Sequence, residues 1–318
     1  MNPESRAPAI WLITDSKPGH KNQLKGLGNR LRVLTGASIH WVYAADYSVP
    51  LWRALLGVAP ALDTSLPAPV MIVAAGSGTH RLQLTLRRKA HTVVLMKPAF
   101  PLAWVDAAII PAHDKTKASR RTLVTEGVIN AVTPMAQLTS KPEALILIGG
   151  PSPHFDWDDD AVFAQITDLI NRYPEWRWTI SDSRRTPAAL TSKLNDLQTT
   201  KVTFLSHAQA HENWLNHQLA KSRAVWVTPD SVSMVCEAAT SGVPTGLLNL
   251  PARTNSRVVN GIHRLAEQGW VYFWQDHSRV MTEHPEHHAR LWEADRAARW
   301  LIQRFKSLSQ VANKEALH

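Results

Sequence analysis

The sequence predicts an α/β fold built from two doubly wound halves with a cleft between them. Three observations carry this. Short apolar, β-rich runs of the kind buried in parallel sheets alternate with segments of helical periodicity. Most runs end in Gly, Pro, Asp or Ser, the residues that turn a chain at a sheet edge. The alternation occurs twice, on either side of a polar stretch with two prolines at 133–143, TPMAQLTSKPE. A chain of 318 residues suffices for two domains of ordinary size. The expected division is 1–138, 139–288 and a C-terminal helix, 289–318, that crosses back to the first domain.

In order, residues 1–8 read as a loose tail and 9–14 (AIWLIT) as the first buried strand. The loop 15–20 (DSKPGH) holds every turn former. Leu24, Leu27, Leu31 and Leu34 then recur at helical spacing, with Lys and Arg between them. Further strands are expected at 38–43, 70–75, 92–96 and 107–110. The third ends in Gly76-Ser77-Gly78-Thr79-His80, ahead of a basic helix. In the second half a strand at 144–148 runs into Gly149-Gly150-Pro151-Ser152, and a helix follows at 158–171. A strand at 177–181 leads into Asp182-Ser183-Arg184-Arg185-Thr186-Pro187. Pro187 suits a helix start because its φ is already helical. Another strand is expected at 202–205.

The stretch 224–250 (AVWVTPDSVSMVCEAATSGVPTGLLNL) reads as strand, turn, helix, turn, strand. Asp230 or Ser231 is expected to cap the helix by accepting from its free N–H groups. Gly242 provides a left-handed stop, and Pro244 forbids continuation. Two parallel strands joined by one helix place its N-terminus at the carboxyl edge of the sheet, where α/β proteins bind ligands. That N-terminus, with the hydroxyls of Ser231 and Ser233, suits a phosphate. Glu237, one turn on, could accept from two ribose hydroxyls. The same pattern also fits an ordinary crossover helix with a surface Glu. Arg184-Arg185 suits a pyrophosphate grip, or equally a solvated charged loop. The last helix, 289–308, offers Leu291, Trp292, Leu301 and Phe305 as core residues.

Composition narrows the classes. A single cysteine, Cys236, excludes an internal disulfide framework, and its place inside a helix suits a small buried residue. No signal-peptide pattern and no run of 18 apolar residues appear, so a cytoplasmic protein is expected. The net charge of +9 favours an anionic partner. No nucleic-acid motif accompanies that charge, so no nucleic-acid partner is expected. There is no G-x-G-x-x-G, P-loop or G-x-S-x-G. Asp156, Asp158, Asp159 and Asp160 read as a cap and an acidic first turn rather than a metal site. Residues 283–288 (EHPEHH) read as a polar loop. Neither a metal nor a cofactor is expected.

Several stretches together resemble the mitochondrial-fission ELM-type family of bacterial and plant proteins. They are Thr14-Asp15 with Gly19-His20 and Gln23; Ile148-Gly149-Gly150-Pro151-Ser152; Ser183-Arg184-Arg185-Thr186-Pro187; Asp230-Ser231-Val232-Ser233-Met234 with Glu237-Ala238; Gly242 with Pro244; and Asn260 onward. The resemblance implies a GT-B architecture, two Rossmann-like domains facing a cleft. It also implies a glycosyltransferase that uses a nucleotide-diphosphate sugar as substrate and needs no metal. The donor would be held by Gly149, Gly150, Ser152, Arg184, Arg185, Asp230, Ser231, Ser233 and Glu237. The Gly19-His20 loop is similar to the acceptor-side loop of the enzyme that adds N-acetylglucosamine to the peptidoglycan lipid precursor. Asp15 and His20 are therefore the candidates for catalytic base, with a capping role open for Asp15. The acceptor expected is a lipid-linked or lipopolysaccharide-type molecule of the cell envelope. Arg81, Arg87, Arg88 and Lys89, with Trp41, Trp52 and Trp104, suggest contact with an anionic surface on the inner face of the cytoplasmic membrane. The alternatives are a non-catalytic membrane-associated scaffold and a nucleotide-sugar epimerase. The epimerase ranks below because it would need a dinucleotide loop and a Tyr-x-x-x-Lys pair, and neither is present.

Overall fold

The structure is a computed structural model that describes residues 7–211, 213–253, 256–282 and 291–308. The 283–288 loop and the expected helix start at Ala289 lie outside the described residues. The chain forms two compact units. One takes the residues up to Ala131 and those from Glu293 onward, and the other takes Val132–Trp292.

The first unit opens with β1 (Ala9–Thr14), whose six residues are all buried. A strand buried on both faces reads as an unbroken apolar run, which is why AIWLIT is legible as one. α1 (Pro18–Thr35) follows, starting on a proline and closing at Gly36, φ 68. It turns Leu24, Leu27 and Leu31 inward. Then come β2 (Ser38–Tyr43), α2 (Leu51–Leu56), β3 (Pro69–Ala75), α3 (His80–Thr85), β4 (His91–Leu95), β5 (Ala107–Pro111) and β6 (Thr122–Thr125). The sheet order is β2-β1-β3-β4-β5-β6, and every pairing is parallel. β4 ends one residue before expected because Met96 turns left-handed, φ 69. The basic helix is much shorter than the 79–91 stretch. After Thr85 the chain tightens into three-residue turns, Leu86 N–H to Gln83 O and Lys89 N–H to Leu86 O. Arg87, Arg88 and Lys89 therefore lie beyond α3.

The second unit contains β7 (Glu143–Leu147), α4 (Asp159–Arg172), β8 (Arg177–Ser181), α5 (Ala188–Asp196), β9 (Val202–Leu205) and α6 (Trp214–Lys221). It continues with β10 (Ala224–Val227), α7 (Val232–Ser241), β11 (Thr245–Leu247), α8 (Arg257–Glu267) and α9 (His277–Thr282). Its parallel sheet runs β11-β10-β7-β8-β9. β11 stops three residues short of the expected end. Asn249 N–H leaves the ladder and donates to Gln165 Oε1 at 2.6 Å. The acidic run is occupied within the chain. Asp158 caps α4, accepting from Asp160 N–H and Ala161 N–H. Asp156 pairs with Arg253 at 2.7 Å, Asp159 accepts from Trp157, and Asp160 pairs with Lys193.

The chain then returns to the first unit as α10 (Glu293–Arg304). Its Ala294, Ala297, Ala298 and Leu301 are buried. Of the other expected core residues, Leu291 and Phe305 are buried and Trp292 is half-buried. Asp295 pairs with Arg30 of α1, and Arg296 donates to Val124 O of β6 at 2.7 Å. Burial alone would raise the Asp295 pKa, but Arg299 and Arg30 hold it below its ordinary value. Among the described residues no helix is long and apolar enough to cross a membrane.

Each sheet reverses its direction of growth once. In the first unit the reversal falls between β1 and β3, and in the second between β7 and β10. At such a switch point the loops leave in opposite directions and open a crevice at the carboxyl edge. The loops expected to carry chemistry are those that follow these four strands.

Candidate functional site

In the first unit the loop after β1 passes through Ser16, φ 64. This left-handed step turns the Asp15 side chain back over its own loop. Asp15 accepts from Lys17 N–H at 3.2 Å. His20, in the first turn of α1, has Nδ1 at 2.8 and 3.0 Å from the two oxygens of the same carboxylate. The Asp15 side chain is 9% exposed and that of His20 is 22% exposed. An ionised carboxylate selects the tautomer with the proton on Nδ1 and leaves Nε2 as the acceptor. Nε2 makes no hydrogen bond among the described residues. Asp15 thus serves its own turn and His20 at once.

The loop after β3 lies on this pair. Gly76 has φ 93, and a Cβ there would overlap His20 Nδ1 and Asp15 Oδ2. The position demands glycine for both backbone angle and space. A Cβ added at Gly78 would also come within 3.0 Å of the Asp15 Cβ. His80, at the start of α3, is half-buried and stacks edge-on against Phe100. Burial pushes its pKa below the ordinary imidazole value, with Asp15 opposing. The arrangement is an oriented imidazole with one nitrogen available, which is the form a general base takes.

In the second unit the loop after β7 is strapped from three sides. Gly149 N–H donates to Thr228 Oγ1 at 2.7 Å. Gly149 O accepts from Ser183 Oγ at 2.8 Å and from Thr186 Oγ1 at 2.5 Å. Gly150 N–H donates to Asp230 Oδ2 at 3.1 Å. A Cβ on Gly149 would overlap the Asp230 carboxylate, and one on Gly150 would overlap Arg185 O. Both glycines are therefore required by close approach.

Asp230 and Arg185 differ from their sequence reading. Asp230 does not cap α7. Its side chain is 0% exposed, and Arg185 Nη2 donates to its Oδ2 at 2.6 Å. Arg185 Nη1 donates to Gly150 O at 2.9 Å and Pro151 O at 3.2 Å. The N-cap of α7 is Ser231, and no side chain caps it. The first-turn N–H groups of α7 are thus left to other partners, and they carry the positive end of the helix.

Arg184 is exposed and makes no hydrogen bond or ion pair among the described residues. Ser233 and Glu237 are half-buried, one turn apart on α7, while Cys236 between them is fully buried. Ser152 accepts from His154 N–H at 3.2 Å, which closes a local turn. A cavity of about 320 Å³ opens beside Pro229, lined by Phe155, Leu248, Ile262, Phe273 and Trp274 among others. It includes none of the residues singled out for the donor.

A second carboxylate–imidazole pair was not anticipated. Asp182 Oδ1 accepts from His207 N–H at 2.6 Å and lies 2.9 Å from His207 Nδ1, while its Oδ2 accepts from Thr191 Oγ1 at 3.2 Å. The pair ties the loop after β8 to the loop after β9. The signal was an acid directly after a buried strand, in the sequence Ser181-Asp182. Among the described residues no group of three or more His, Cys, Asp or Glu could hold a metal ion.

The sequence pattern of the family described as "Mitochondrial fission ELM1" matches residues 18–305. The uncharacterized protein RP120 of Rickettsia prowazekii (strain Madrid E) is 24% identical, over 86% of this chain and 93% of its own. A solved UDP-N-acetylglucosamine 2-epimerase has a TM-score of 0.56 at 13% identity, covering 95% of this chain and 96% of that one. A putative UDP-N-acetylglucosamine 2-epimerase from Listeria monocytogenes gives 0.55 at 13%, covering 96% and 92%. The Methanocaldococcus jannaschii UDP-GlcNAc 2-epimerase, in complex with UDP-GlcNAc and UDP, gives 0.51 at 11%, covering 93% and 99%. At such identities the likeness is one of fold: two Rossmann-like doubly wound domains, the GT-B plan. Proteins described as UDP-N-acetylglucosamine 2-epimerases thus share this plan. The chain belongs to the mitochondrial fission ELM1 family.

Proposed function

We propose that the protein is a glycosyltransferase that moves a sugar from a nucleotide-diphosphate donor to a lipid-linked or lipopolysaccharide-type acceptor of the cell envelope. The observation that supports this most directly is the Asp15–His20 pair, pressed against a glycine that has no room for a side chain. In the proposed reaction His20 Nε2 takes the proton of the acceptor hydroxyl as that oxygen bonds to the anomeric carbon. The bond from that carbon to the diphosphate oxygen breaks, and the nucleoside diphosphate leaves with the electron pair. Asp15 stabilises the imidazolium that forms.

The second unit holds the donor in this reading. Ser231, Ser233 and the N-terminus of α7 take the diphosphate, with Arg184 free to join them. Glu237 accepts from the ribose hydroxyls. Gly149, Gly150 and Ser152 border the site with backbone, while Arg185 and Asp230 act one step back by holding that loop. The test is release of nucleoside diphosphate from a panel of nucleotide sugars, with and without envelope lipid extract. Conversion of the sugar nucleotide into an isomer, with no acceptor and no release, would instead establish an epimerase. Absence of any nucleotide binding by thermal shift would leave the scaffold.

Two results are expected at this site. Glu237→Ala weakens nucleoside-diphosphate binding by about 1–3 kcal/mol, the scale of lost hydrogen bonds to a charged group. Calorimetry measures it, and unchanged affinity would remove Glu237 from the site. Turnover also survives chelation, because Arg184 and the helix terminus supply the positive field that would otherwise need a cation. If EDTA abolished turnover and magnesium or manganese restored it, that account of the leaving group would be wrong.

A further inference from the structure

α2 is a helix turned inside out. Leu51, Trp52, Leu55 and Leu56 are 57%, 53%, 50% and 59% exposed, and only Ala54 is buried. Positions 51, 52, 55 and 56 fall on one side of a helix, so the exposed apolar groups form one face. Val58, just past the helix, and Trp104 extend the exposed apolar surface of this unit.

This face is built and not frayed. Ala54 anchors it in a core cluster with Trp11, Ile13 and Val42. Gly57, φ 68, closes the helix. Arg87 donates to Ala54 O and Leu55 O, both at 2.7 Å, and so ties down the last carbonyls. Its guanidinium also lies 5.9 Å from the Trp104 ring, which joins Trp104 to the same assembly. Arg53 sits 5.3 Å from the Trp52 ring.

The helix and the segment that ties it down are basic, although Asp46, Asp63 and Asp106 lie nearby in the sequence. Residues 51–58 and 80–90 contain no acid, and they carry Arg53, Arg81, Arg87, Arg88 and Lys89. A face of Leu and Trp rimmed by Arg and Lys matches the boundary of an anionic bilayer, where apolar groups enter the acyl region and cations meet the headgroups.

We propose that α2 is a membrane-docking element that inserts Leu51, Trp52, Leu55 and Leu56 into the interface of an anionic lipid bilayer, with Arg53, Arg88 and Lys89 on the headgroups. Docking stands on this surface alone and does not depend on sugar transfer, so either can fail without the other. The test is sedimentation of the full chain with phosphatidylcholine vesicles, with and without phosphatidylglycerol.

Wild type is expected to bind the anionic vesicles and to release them as salt rises. W52S/L56S keeps every charge and is expected to bind about tenfold more weakly. R88Q/K89Q is expected to lose about fivefold for each charge removed. Because the substituted side chains point outward, the urea midpoint of each variant should match wild type, which separates lost docking from lost folding. Three results would each overturn the proposal: no binding to anionic vesicles at low salt, binding by W52S/L56S equal to wild type, or a wild-type dimer that W52S/L56S converts to monomer without change in lipid binding. The last would mean that a second copy covers the face.

Discussion

His20→Ala is expected to lower turnover by about 10²–10⁴-fold, the range a positioned general base contributes, while nucleoside-diphosphate affinity stays as it was. The two readouts separate because His20 belongs to the first unit, and the groups assigned to the donor belong to the second. Asp15→Asn should also reduce the rate. The amide keeps the shape but not the charge that orients Nδ1–H and stabilises the protonated ring. His80→Asn provides the control. His80 shares the same loop region, yet burial disfavours its charged form. A His20→Ala protein that still turns over at the wild-type rate would move the base elsewhere. A rate lost together with nucleotide affinity would point to misfolding instead.

Gly26→Ala is expected to destabilise the protein by about 1–3 kcal/mol, the usual cost of overpacking. Helix propensity argues the other way, since Ala is favoured over Gly by about 1 kcal/mol inside a helix. Space decides between them. A Cβ on Gly26 would overlap the Asn130 carbonyl oxygen, and backbone cannot swing aside as a side-chain tip can. The neighbouring tie, Ala131 N–H to Asn22 Oδ1 at 3.3 Å, holds the same segment against α1. Urea denaturation measures the change as a lower midpoint at constant slope. A raised midpoint would show that the segment yields and that propensity wins.

The elements that were legible in advance share a physical reason. β1, β3, β7 and β10 are interior strands with a neighbour on each side, and their residues form largely apolar runs. The edge strand β6, with the sequence TLVT, has no such run and was not foreseen. α2 escaped for the opposite reason: its apolar residues face outward, and periodicity does not tell outward from inward. α8 was missed although its signals were present, with Ser256 accepting from Val258 N–H and Val259 N–H, and Val259, Ile262 and Leu265 buried.

At the candidate site, the loops could be found from their turn formers and from family resemblance. The pairing within them could not. Arg185 to Asp230 spans 45 positions, and Asp182 to His207 spans 25. Residue type said that the arginines and carboxylates were polar, but not that they would satisfy each other. Thr228, Ser183 and Thr186 were passed over for the same reason. Their roles exist only once strands distant in sequence are neighbours in a sheet.

The return of the chain as α10 has a consequence for how the protein is made. The first unit is written in two pieces around the second. On a ribosome, residues 132–292 are all polymerised before Asp295, Arg296 and Leu301. Domains usually mature in the order of their synthesis. Here the first-begun unit must wait, with Arg30 and the β6 backbone lacking the partners that Asp295 and Arg296 later supply. A chain truncated after Trp292 and released should therefore show a protease-resistant second unit beside a first unit that is still readily cut.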